Sequence, residues 1–337
     1  MKDNKNMHIK SKRVLAFIPA FFGYEKAIVE KMRDMGANVD FYNERAVSSA
    51  CDRAILKVAP GLFKWKSQNY YGDIIKKNNK IEYDYILIVK GDMVTERILD
   101  ELRNNYPKAK IILYLWDSVK NIAGITKMFS LFDVCYSFDI GDCKKYRELK
   151  FRPLFYIDVY KRTESNKEDN EYDISFLGTI HSDRYAIIKK IQKYADMKGL
   201  RTFWFMYLQS RFVYRFYKIF KREFRDTEER MFSFEKMLAK DISYIIDHSK
   251  AILDMQHPAQ TGLTMRTIEM IGMKKKIITT NTSIADYDFY NPNNICIISR
   301  ENPTIDDCFL NSEYEELPER IYKKYGLDEW ILDILEA

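Results

Sequence analysis

The residues best suited to chemistry stand in segment 257–281, HPAQTGLTMRTIEMIGMKKKIITTN. A loop containing Gly262 leads into a predicted helix that Thr264 can cap. Backbone N–H groups at such a helix start suit a phosphate group. Arg266 in the first turn can add a bidentate phosphate contact, and Glu269 can accept hydrogen bonds from ribose hydroxyls. The alternative is that Arg266 and Glu269 form an i,i+3 ion pair on a packing helix.

Alternating strands and helices must position this segment. Apolar runs predict strands in the first half at 13–20, 37–44, 83–92, 110–118 and 133–139. Helical patterns separate them, whereas residues 45–80 are mixed in character. The same rhythm restarts with predicted strands at 172–180, 200–208, 250–255, 276–281 and 294–299. This βαβα order favours an α/β fold with doubly wound parallel sheets.

The 337 residues are about right for two domains of roughly 150 residues each. The charged stretch 161–171, KRTESNKEDNE, has no apolar residue and is the best candidate for a linker. We therefore expect an N-terminal domain at 1–160 and a C-terminal domain at 172–312. A helical tail at 313–337 would return to brace the N-terminal domain.

Charge is distributed unevenly along the chain. The net charge is +6, but residues 301–337 hold eleven acids and three bases, so residues 1–300 carry +14. A basic body suggests a polyanionic ligand or an anionic membrane surface. No apolar run approaches the roughly 20 residues that span a bilayer, and the N-terminus lacks a signal-peptide core. We expect a cytoplasmic protein.

Several common types of site are missing from the sequence. The five cysteines form no CxxC pair and the four histidines no HExxH pattern, so we expect no disulfide framework and no metal site. The motifs GxGxxG, GxxxxGK[ST] and GxSxG are also absent, which argues against a standard dinucleotide fold, a P-loop NTPase and an α/β hydrolase.

Segment 261–281 resembles the donor-binding segment of GT-B glycosyltransferases. The likeness is to spore-maturation-type glycosyltransferases and to capsule and lipopolysaccharide biosynthesis enzymes. The matching positions are Gly262, Arg266, Glu269, Gly272 and the run 279–281. In that family the matching glutamate binds the nucleotide ribose and neighbouring residues hold the diphosphate. The resemblance implies two Rossmann-like domains with parallel sheets facing a cleft.

A second segment, 172–184 (YDISFLGTIHSDR), resembles the first strand and loop of the family's C-terminal domain. There Gly178 would let the backbone approach the donor, and Arg184 could reach a phosphate. One departure concerns the two glutamates spaced E-x7-E in many retaining members. Thr261 occupies the first of these positions, so the resemblance does not carry the stereochemical outcome to this chain.

The N-terminal domain would hold the acceptor, and carboxylates follow several of its predicted strands. An inverting transferase needs a general base that deprotonates the acceptor hydroxyl. Asp117 is the first candidate because it ends a strongly apolar strand, with Asp139 second and Asp92 third. The alternative is that these residues cap helices or form turns. His257 follows strand 250–255 and either faces the cleft as a further catalytic candidate or is a structural histidine.

Residues 211–225 combine six Arg or Lys residues, six aromatic residues and one acid. The pattern fits a basic amphipathic helix lying on a membrane, which would suit an enzyme whose acceptor is a lipid-linked sugar. Packing of the aromatic rings into the core is a second interpretation. A nucleic-acid patch is the least favoured, because no recognised nucleic-acid module accompanies it, and we expect no nucleic-acid partner.

These observations predict a metal-independent, hexosyltransferase-like enzyme of cell-surface polysaccharide biosynthesis. It would move a sugar from a nucleotide-sugar donor to a glycan or lipid-linked acceptor, with no cofactor besides that donor substrate. Peripheral contact would place it at the inner face of the cell membrane. The alternatives are a non-catalytic nucleotide- or glycan-binding subunit of a synthesis complex and a GT-B-type sugar-nucleotide epimerase.

Overall fold

A computed structural model describes residues 9–45, 61–162, 170–258 and 260–336. The chain divides into two compact units. The first comprises residues 1–153 and 327–337, and the second residues 154–326. Most of the predicted linker 161–171 lies outside the described residues.

The first unit is built on a six-stranded parallel sheet of order β2-β1-β3-β4-β5-β6. Its strands are β1 (Arg13–Ile18), β2 (Asn38–Asn43), β3 (Tyr85–Val89), β4 (Lys110–Leu115), β5 (Val134–Ser137) and β6 (Leu149–Phe151). The central strands are mostly apolar because both faces of a parallel sheet are covered by helices. Those helices are α1 (Tyr24–Asp34), α2 (Gly61–Lys77), α3 (Glu96–Asn105) and α4 (Ile140–Lys145).

One helix predicted in this unit is replaced by 3-10 turns. Residues 119–131 form two 3-10 segments, Val119–Asn121 and Ile125–Leu131, separated by Gly124. Gly124 has φ 79°, in the left-handed region, and this interrupts a continuous α-helix. Of the mixed stretch 45–80, the described part contains α2.

The second unit is built on a five-stranded parallel sheet of order β11-β10-β9-β7-β8. Its strands are β7 (Tyr172–Thr179), β8 (Thr202–Tyr207), β9 (Ser249–Asp254), β10 (Lys276–Thr279) and β11 (Ile295–Ile297). Its helices are α5 (Arg184–Lys198), α6 (Arg211–Phe220), α7 (Ala239–Asp247), α8 (Met265–Gly272), α9 (Asp307–Asn311) and α10 (Glu319–Lys324). The α/β architecture with two Rossmann-like parallel sheets is confirmed.

The boundaries of the units differ from the expected 160/172 division for a packing reason. Residues 154–160 belong to the second unit. Tyr156 N donates to Tyr325 O at 2.8 Å, and a Cβ added at Gly272 would lie 2.5 Å from Tyr156 Cγ. These short contacts hold Tyr156 against the helices of the second unit.

The acidic tail is divided between the two units. Its helices α9 and α10 belong to the second unit, whereas α11 (Leu327–Leu335) belongs to the first. Trp330 of α11 is fully buried, with its ring centroid 4.8 Å from that of Tyr114 on β4. Arg152 Nε pairs with Asp333 Oδ2 at 2.8 Å. The last helix thus forms part of the first unit's core.

Candidate functional site

The carboxyl edge of the second sheet carries a hydrogen-bonded helix start. Asp254, the buried last residue of β9, accepts a hydrogen bond from Thr264 Oγ1 at 2.6 Å and another from Thr267 Oγ1. Thr264 Oγ1 in turn accepts from Thr267 N at 3.2 Å, so Thr264 caps α8 as predicted. One carboxylate therefore fixes the first turn of α8 to the end of β9.

The loop before α8 is held from the neighbouring strand. The buried Asn281, just beyond β10, donates through Nδ2 to Thr261 O at 3.1 Å and to Gly262 O at 3.3 Å. Thr280 Oγ1 donates to Gln256 Oε1 at 2.7 Å and secures the start of the same loop. The run 279–281 and Gly262, which match the donor-binding segment of the resemblance, thus meet in space.

Arg266 and Glu269 face each other on α8. Arg266 Nη1 lies 2.6 Å from Glu269 Oε2, and the glutamate side chain is only 7% exposed. Burial first, and then the charge of Glu269, raises the pKa of the nearby Tyr160 to about 12. The i,i+3 ion pair is therefore present, and contact of either residue with a nucleotide stays a prediction.

Arg184, in the first turn of α5, joins the ends of two strands. Its Nε donates to Met255 O at 2.9 Å, its Nη1 donates to Thr179 O at 2.9 Å, and Nη2 also donates to Met255 O. Burial lowers its pKa. A Cβ added at Gly178 would lie 2.9 Å from Phe176 Cζ, so this glycine leaves room for the Phe176 ring; the same Cβ would be in ordinary contact with Arg184 Nη1, at 3.6 Å. The expected phosphate contact of Arg184 stays a prediction.

Two histidines stack at the same edge. The rings of His181 and His257 have centroids 6.0 Å apart and planes inclined by 27°. Burial, followed by the charges of Arg184 and His257, lowers the pKa of His181 to about 4. His257 is exposed. His181 was not predicted, although its place directly between β7 and α5, where ligands meet parallel sheets, was a usable signal.

Arg300 is a second functional candidate that was not predicted. Its Nη1 contacts the two carboxylate oxygens of Asp183 at 2.9 and 2.7 Å, and its Nη2 donates to Gln256 O at 2.7 Å. Arg300 follows the last strand of the sheet, which is the only sequence signal for its position. Carboxylates or main-chain carbonyls thus orient the guanidinium groups at this edge before any ligand binds. Cationic groups that are oriented in advance stabilise negative charge that develops during a reaction.

The carboxyl edge of the first sheet brings together the three predicted aspartates. Lys90 links two of them, with Nζ 3.0 Å from Asp92 Oδ2 and 3.9 Å from Asp117 Oδ2. Lys90 has φ 79°, which is uncommon for a residue with a side chain. Asp139 lies beside them through Ser118, whose N–H donates to Asp117 and whose Oγ donates to Asp139.

The three aspartates differ in how much of each carboxylate is engaged. Asp139 is buried, accepts from Gly141 N at 2.9 Å and from Ser118 Oγ at 3.0 Å, and caps α4. Asp117 accepts from Ser118 N and Asn121 Nδ2 through Oδ1, and its side chain is 33% exposed. Capping is therefore a role of Asp139, and Asp117 is the most accessible of the three.

Asp92 belongs to a buried charge cluster that the sequence did not indicate. Arg45 Nη2 pairs with Asp92 Oδ2 at 2.9 Å. Glu44 is fully buried and accepts from Met93 N at 2.9 Å. Burial, and then the charge of Asp92, raises the pKa of Glu44 well above its usual value. Burial opposes ionisation of Asp92 too, but the charge of Lys90 and hydrogen bonds with Glu44 and Arg45 lower its pKa. The neighbouring segment 46–60 lies outside the described residues.

Aromatic rings border the aspartates. Phe21 and Phe22 follow β1 and are 44% and 65% exposed. The Phe21 ring lies 5.6 Å from the ring of Trp116, which directly precedes Asp117. Phe22 and Gly23 adopt φ values of 52° and 86°, in the left-handed region, which turns the chain sharply at this edge. An aromatic surface therefore stands beside the most accessible carboxylate.

Two features are absent from the described ranges. No group of three or more His, Cys, Asp or Glu side chains in them is arranged to hold a metal ion. None of the helices found in those ranges is long and apolar enough to cross a membrane.

No protein-family model and no curated protein matches the chain. Solved structures do match it across nearly all of its length. HepE from Anabaena, in complex with UDP and glucose, has a TM-score of 0.59 and 10% identity, covering 97% of this chain and 100% of that chain. A glycosyltransferase from Rickettsia africae has a TM-score of 0.55 and 14% identity, covering 97% of this chain and 93% of that chain. The lipopolysaccharide outer core galactosyltransferase WaaB has a TM-score of 0.50 and 12% identity, covering 95% of this chain and 98% of that chain. The chain therefore has the GT-B fold of glycosyltransferases.

Proposed function

We propose, from the GT-B fold and the residues at the two sheet edges, that the protein is a glycosyltransferase. It would move a sugar from a nucleotide-sugar donor to a glycan or lipid-linked saccharide in cell-surface polysaccharide biosynthesis. The observation that carries the proposal is the start of α8, where Thr264 and Asp254 fix the helix and Glu269 lies one turn further along. HepE, which has this fold, is recorded with UDP-glucose.

In this proposal the second unit binds the donor. The carboxylate of Glu269 accepts hydrogen bonds from the ribose hydroxyls, and Arg266 orients that carboxylate through their 2.6 Å contact. The N–H groups at the start of α8 receive the diphosphate, with Arg184 and His181 at the neighbouring strand end. These groups stabilise the charge that develops on the departing diphosphate, so no metal ion is needed.

The first unit binds the acceptor and supplies the base. An acceptor hydroxyl gives its proton to Asp117, and its oxygen forms a bond to the anomeric carbon of the donor. The bond from that carbon to the diphosphate oxygen breaks, and the nucleoside diphosphate leaves. Asp117 is favoured because its side chain is 33% exposed, whereas Asp139 is buried and caps α4. The exposed rings of Phe21 and Phe22 provide an apolar surface for a sugar face.

A non-catalytic nucleotide- or glycan-binding subunit is the second candidate. Thr261 stands where many retaining relatives carry a glutamate, and the guanidinium of Arg184 is engaged by main-chain carbonyls. Both observations are compatible with binding that is not followed by transfer. Release of labelled sugar from a nucleotide sugar, to water or to an acceptor, distinguishes the two functions.

The direct test is calorimetric titration of the full chain with a panel of nucleoside diphosphates and nucleotide sugars, with and without EDTA. We expect at least one to bind, its affinity to be unchanged by EDTA, and Glu269→Gln to weaken it. Glu319→Gln is the matched control, because Glu319 forms an exposed ion pair with Lys323 on α10. If no member of the panel binds, or if Glu269→Gln binds as the parent does, the donor site is not the one proposed.

A further inference from the structure

Helix α6 has two apolar faces, and one of them packs against the described part of the second unit. Tyr214 is 4% exposed, and its hydroxyl donates to Thr227 O at 2.9 Å. Val213 and Tyr217 are half-buried on the same side. This face holds α6 to the second unit.

The other face of α6 is apolar and exposed. It consists of Phe212, Phe216, Ile219 and Phe220, with exposed fractions of 77%, 47%, 69% and 69%. Their i, i+4, i+7, i+8 spacing places them in one stripe. The rings of Phe216 and Phe220 have centroids 4.5 Å apart. The described residues contain thirteen large exposed apolar side chains, and four of them lie on this one ten-residue helix. Such clustering is typical of a contact surface, whereas single exposed apolar residues are common on any protein.

Cationic side chains border this apolar stripe. Arg211, Arg215 and Lys218 follow the i, i+4, i+7 spacing along one flank of α6. Arg211 contacts Glu229 at 2.7 Å, but both side chains are exposed, so the contact is weak. Lys218 Nζ donates to Thr227 O at 2.7 Å, which anchors that flank to the fold. The stripe is therefore flanked by positive charge held in place.

More positive charge follows directly after α6. Lys221 Nζ lies 4.1 Å from the centre of the Tyr217 ring, and Arg222 and Arg225 line an open cavity of about 500 Å³. The other residues lining that cavity are Lys189, Glu223 and Asp226. Three cations and two carboxylates give it an excess of one positive charge, which suits the phosphate of a lipid head group.

We propose that α6 and residues 221–225 dock on the surface of an anionic phospholipid bilayer. The stripe Phe212, Phe216, Ile219, Phe220 enters the boundary between head groups and acyl chains, while the arginine and lysine side chains contact lipid phosphates. A second copy of the chain is disfavoured as the occupant, because a symmetric pairing would bring the same cationic flanks together. The proposal does not depend on the nature of the sugar donor.

Vesicle co-sedimentation of the full chain tests the proposal. We expect binding to phosphatidylcholine vesicles that contain 30% phosphatidylglycerol, little binding to pure phosphatidylcholine, and loss of binding as salt increases. The double change Phe216→Ser with Phe220→Ser should weaken binding at least tenfold. The matched control is Met197→Ser with Leu238→Ser, which alters two apolar side chains that are 71% and 60% exposed outside α6.

The charge contribution has its own matched pair. Arg215→Gln with Arg222→Gln should weaken binding to the anionic vesicles at least tenfold, whereas Arg97→Gln with Lys108→Gln, exposed cations of the first unit, should not. Circular dichroism establishes that each variant is folded. Vesicle binding that is unchanged by these α6 substitutions would overturn the proposal. A dimer detected by light scattering that dissociates in the Phe216→Ser, Phe220→Ser variant would also overturn it. So would tighter binding to single-stranded RNA than to the vesicles. Because the measurement uses no nucleotide, its failure is distinct from failure of the proposed transferase activity.

Discussion

Arg266 and Glu269 form an ion pair within one turn of α8, with Nη1 and Oε2 2.6 Å apart and the glutamate almost completely buried. A carboxylate offers about four acceptor sites, so the arginine contact does not by itself saturate Glu269. We therefore expect the pair to present a carboxylate of fixed orientation, rather than a flexible one, to a nucleoside at the start of α8.

Changing Glu269 should separate binding from stability. Glu269→Gln keeps the size and one acceptor oxygen, so we expect nucleotide affinity to fall about 10- to 100-fold, the value of a hydrogen bond to a charged group. Glu269→Ala should also destabilise the fold by about 3 kcal/mol, because it leaves the charge of Arg266 in a largely buried site without this carboxylate. Calorimetric titration and urea unfolding measure the two effects. Equal affinities for parent and Gln variant would contradict the role assigned to Glu269.

Two helix caps allow a comparison between the units. Thr264 caps α8, and Thr95 caps α3 by accepting from Ile98 N at 3.3 Å. Either change to alanine should cost about 1 kcal/mol of stability, measured by urea unfolding. Only Thr264→Ala should also weaken nucleotide binding, because it removes one of the two hydrogen bonds that hold the start of α8 to Asp254. An affinity loss of the same size in Thr95→Ala would show that the effect is merely general destabilisation.

The aspartates of the first sheet edge should respond differently to amidation. Asp117→Asn should lower the rate of sugar transfer about 10²- to 10⁴-fold with little change in stability, because the amide cannot take the acceptor proton. Asp139→Asn should instead destabilise the protein by about 1–3 kcal/mol, because an amide cannot accept on both sides from Gly141 N and Ser118 Oγ. Initial rates and urea midpoints give the two readouts. A fully active Asp117→Asn would remove this residue as the base.

His181 should make stability depend on pH. Its pKa is lowered to about 4, from 6.5, mainly by burial. In the unfolded chain His181 takes up a proton below about pH 6.5, whereas in the folded chain it stays neutral down to about pH 4. Protonation therefore favours the unfolded chain between these two values. The free energy of unfolding decreases as pH falls through this window. The stability difference between the parent and His181→Gln should move in favour of the variant between pH 7 and 4. This stability difference should stay constant between pH 7.5 and 8.5. A stability difference that also stays constant between pH 7 and 4 would contradict the lowered pKa of His181.

Two helical glycines should respond to alanine in opposite directions. At Gly272 a Cβ would lie 2.5 Å from Tyr156 Cγ and 2.7 Å from Tyr160 O, so Gly272→Ala should cost about 1–3 kcal/mol. At Gly72, within α2, the nearest atom to such a Cβ is Glu101 Oε2 at 3.9 Å. Gly72→Ala should therefore stabilise by about 0.5–1 kcal/mol through helix propensity. Thermal unfolding measures both, and stabilisation by Gly272→Ala would contradict the close packing of Tyr156.

Local patterns in the sequence were sufficient for the features that depend on neighbouring residues. Apolar runs predicted the central strands because burial of a parallel sheet on both faces requires them. The cap Thr264 was predicted because a threonine before an apolar helix satisfies N–H groups within three residues. The 211–225 pattern likewise predicted an amphipathic helix, of which residues 211–220 form α6 and residues 222–224 a 3-10 turn. Such features involve separations of at most a few turns.

Tertiary structure alone decided which side chains share an edge. Arg184 and Met255 are 71 positions apart and meet because β7 pairs with β9. Which aromatic residues of 211–225 are exposed depends on which face of α6 packs on the second unit, and composition does not contain that information. The same holds for Glu44 and Asp92, brought together where β2 and β3 flank β1. The sequence by itself thus determined the strands, the helices and the types of residue at their ends. Strand order decided which charged side chains are paired, because such pairing requires contact between residues far apart in the chain.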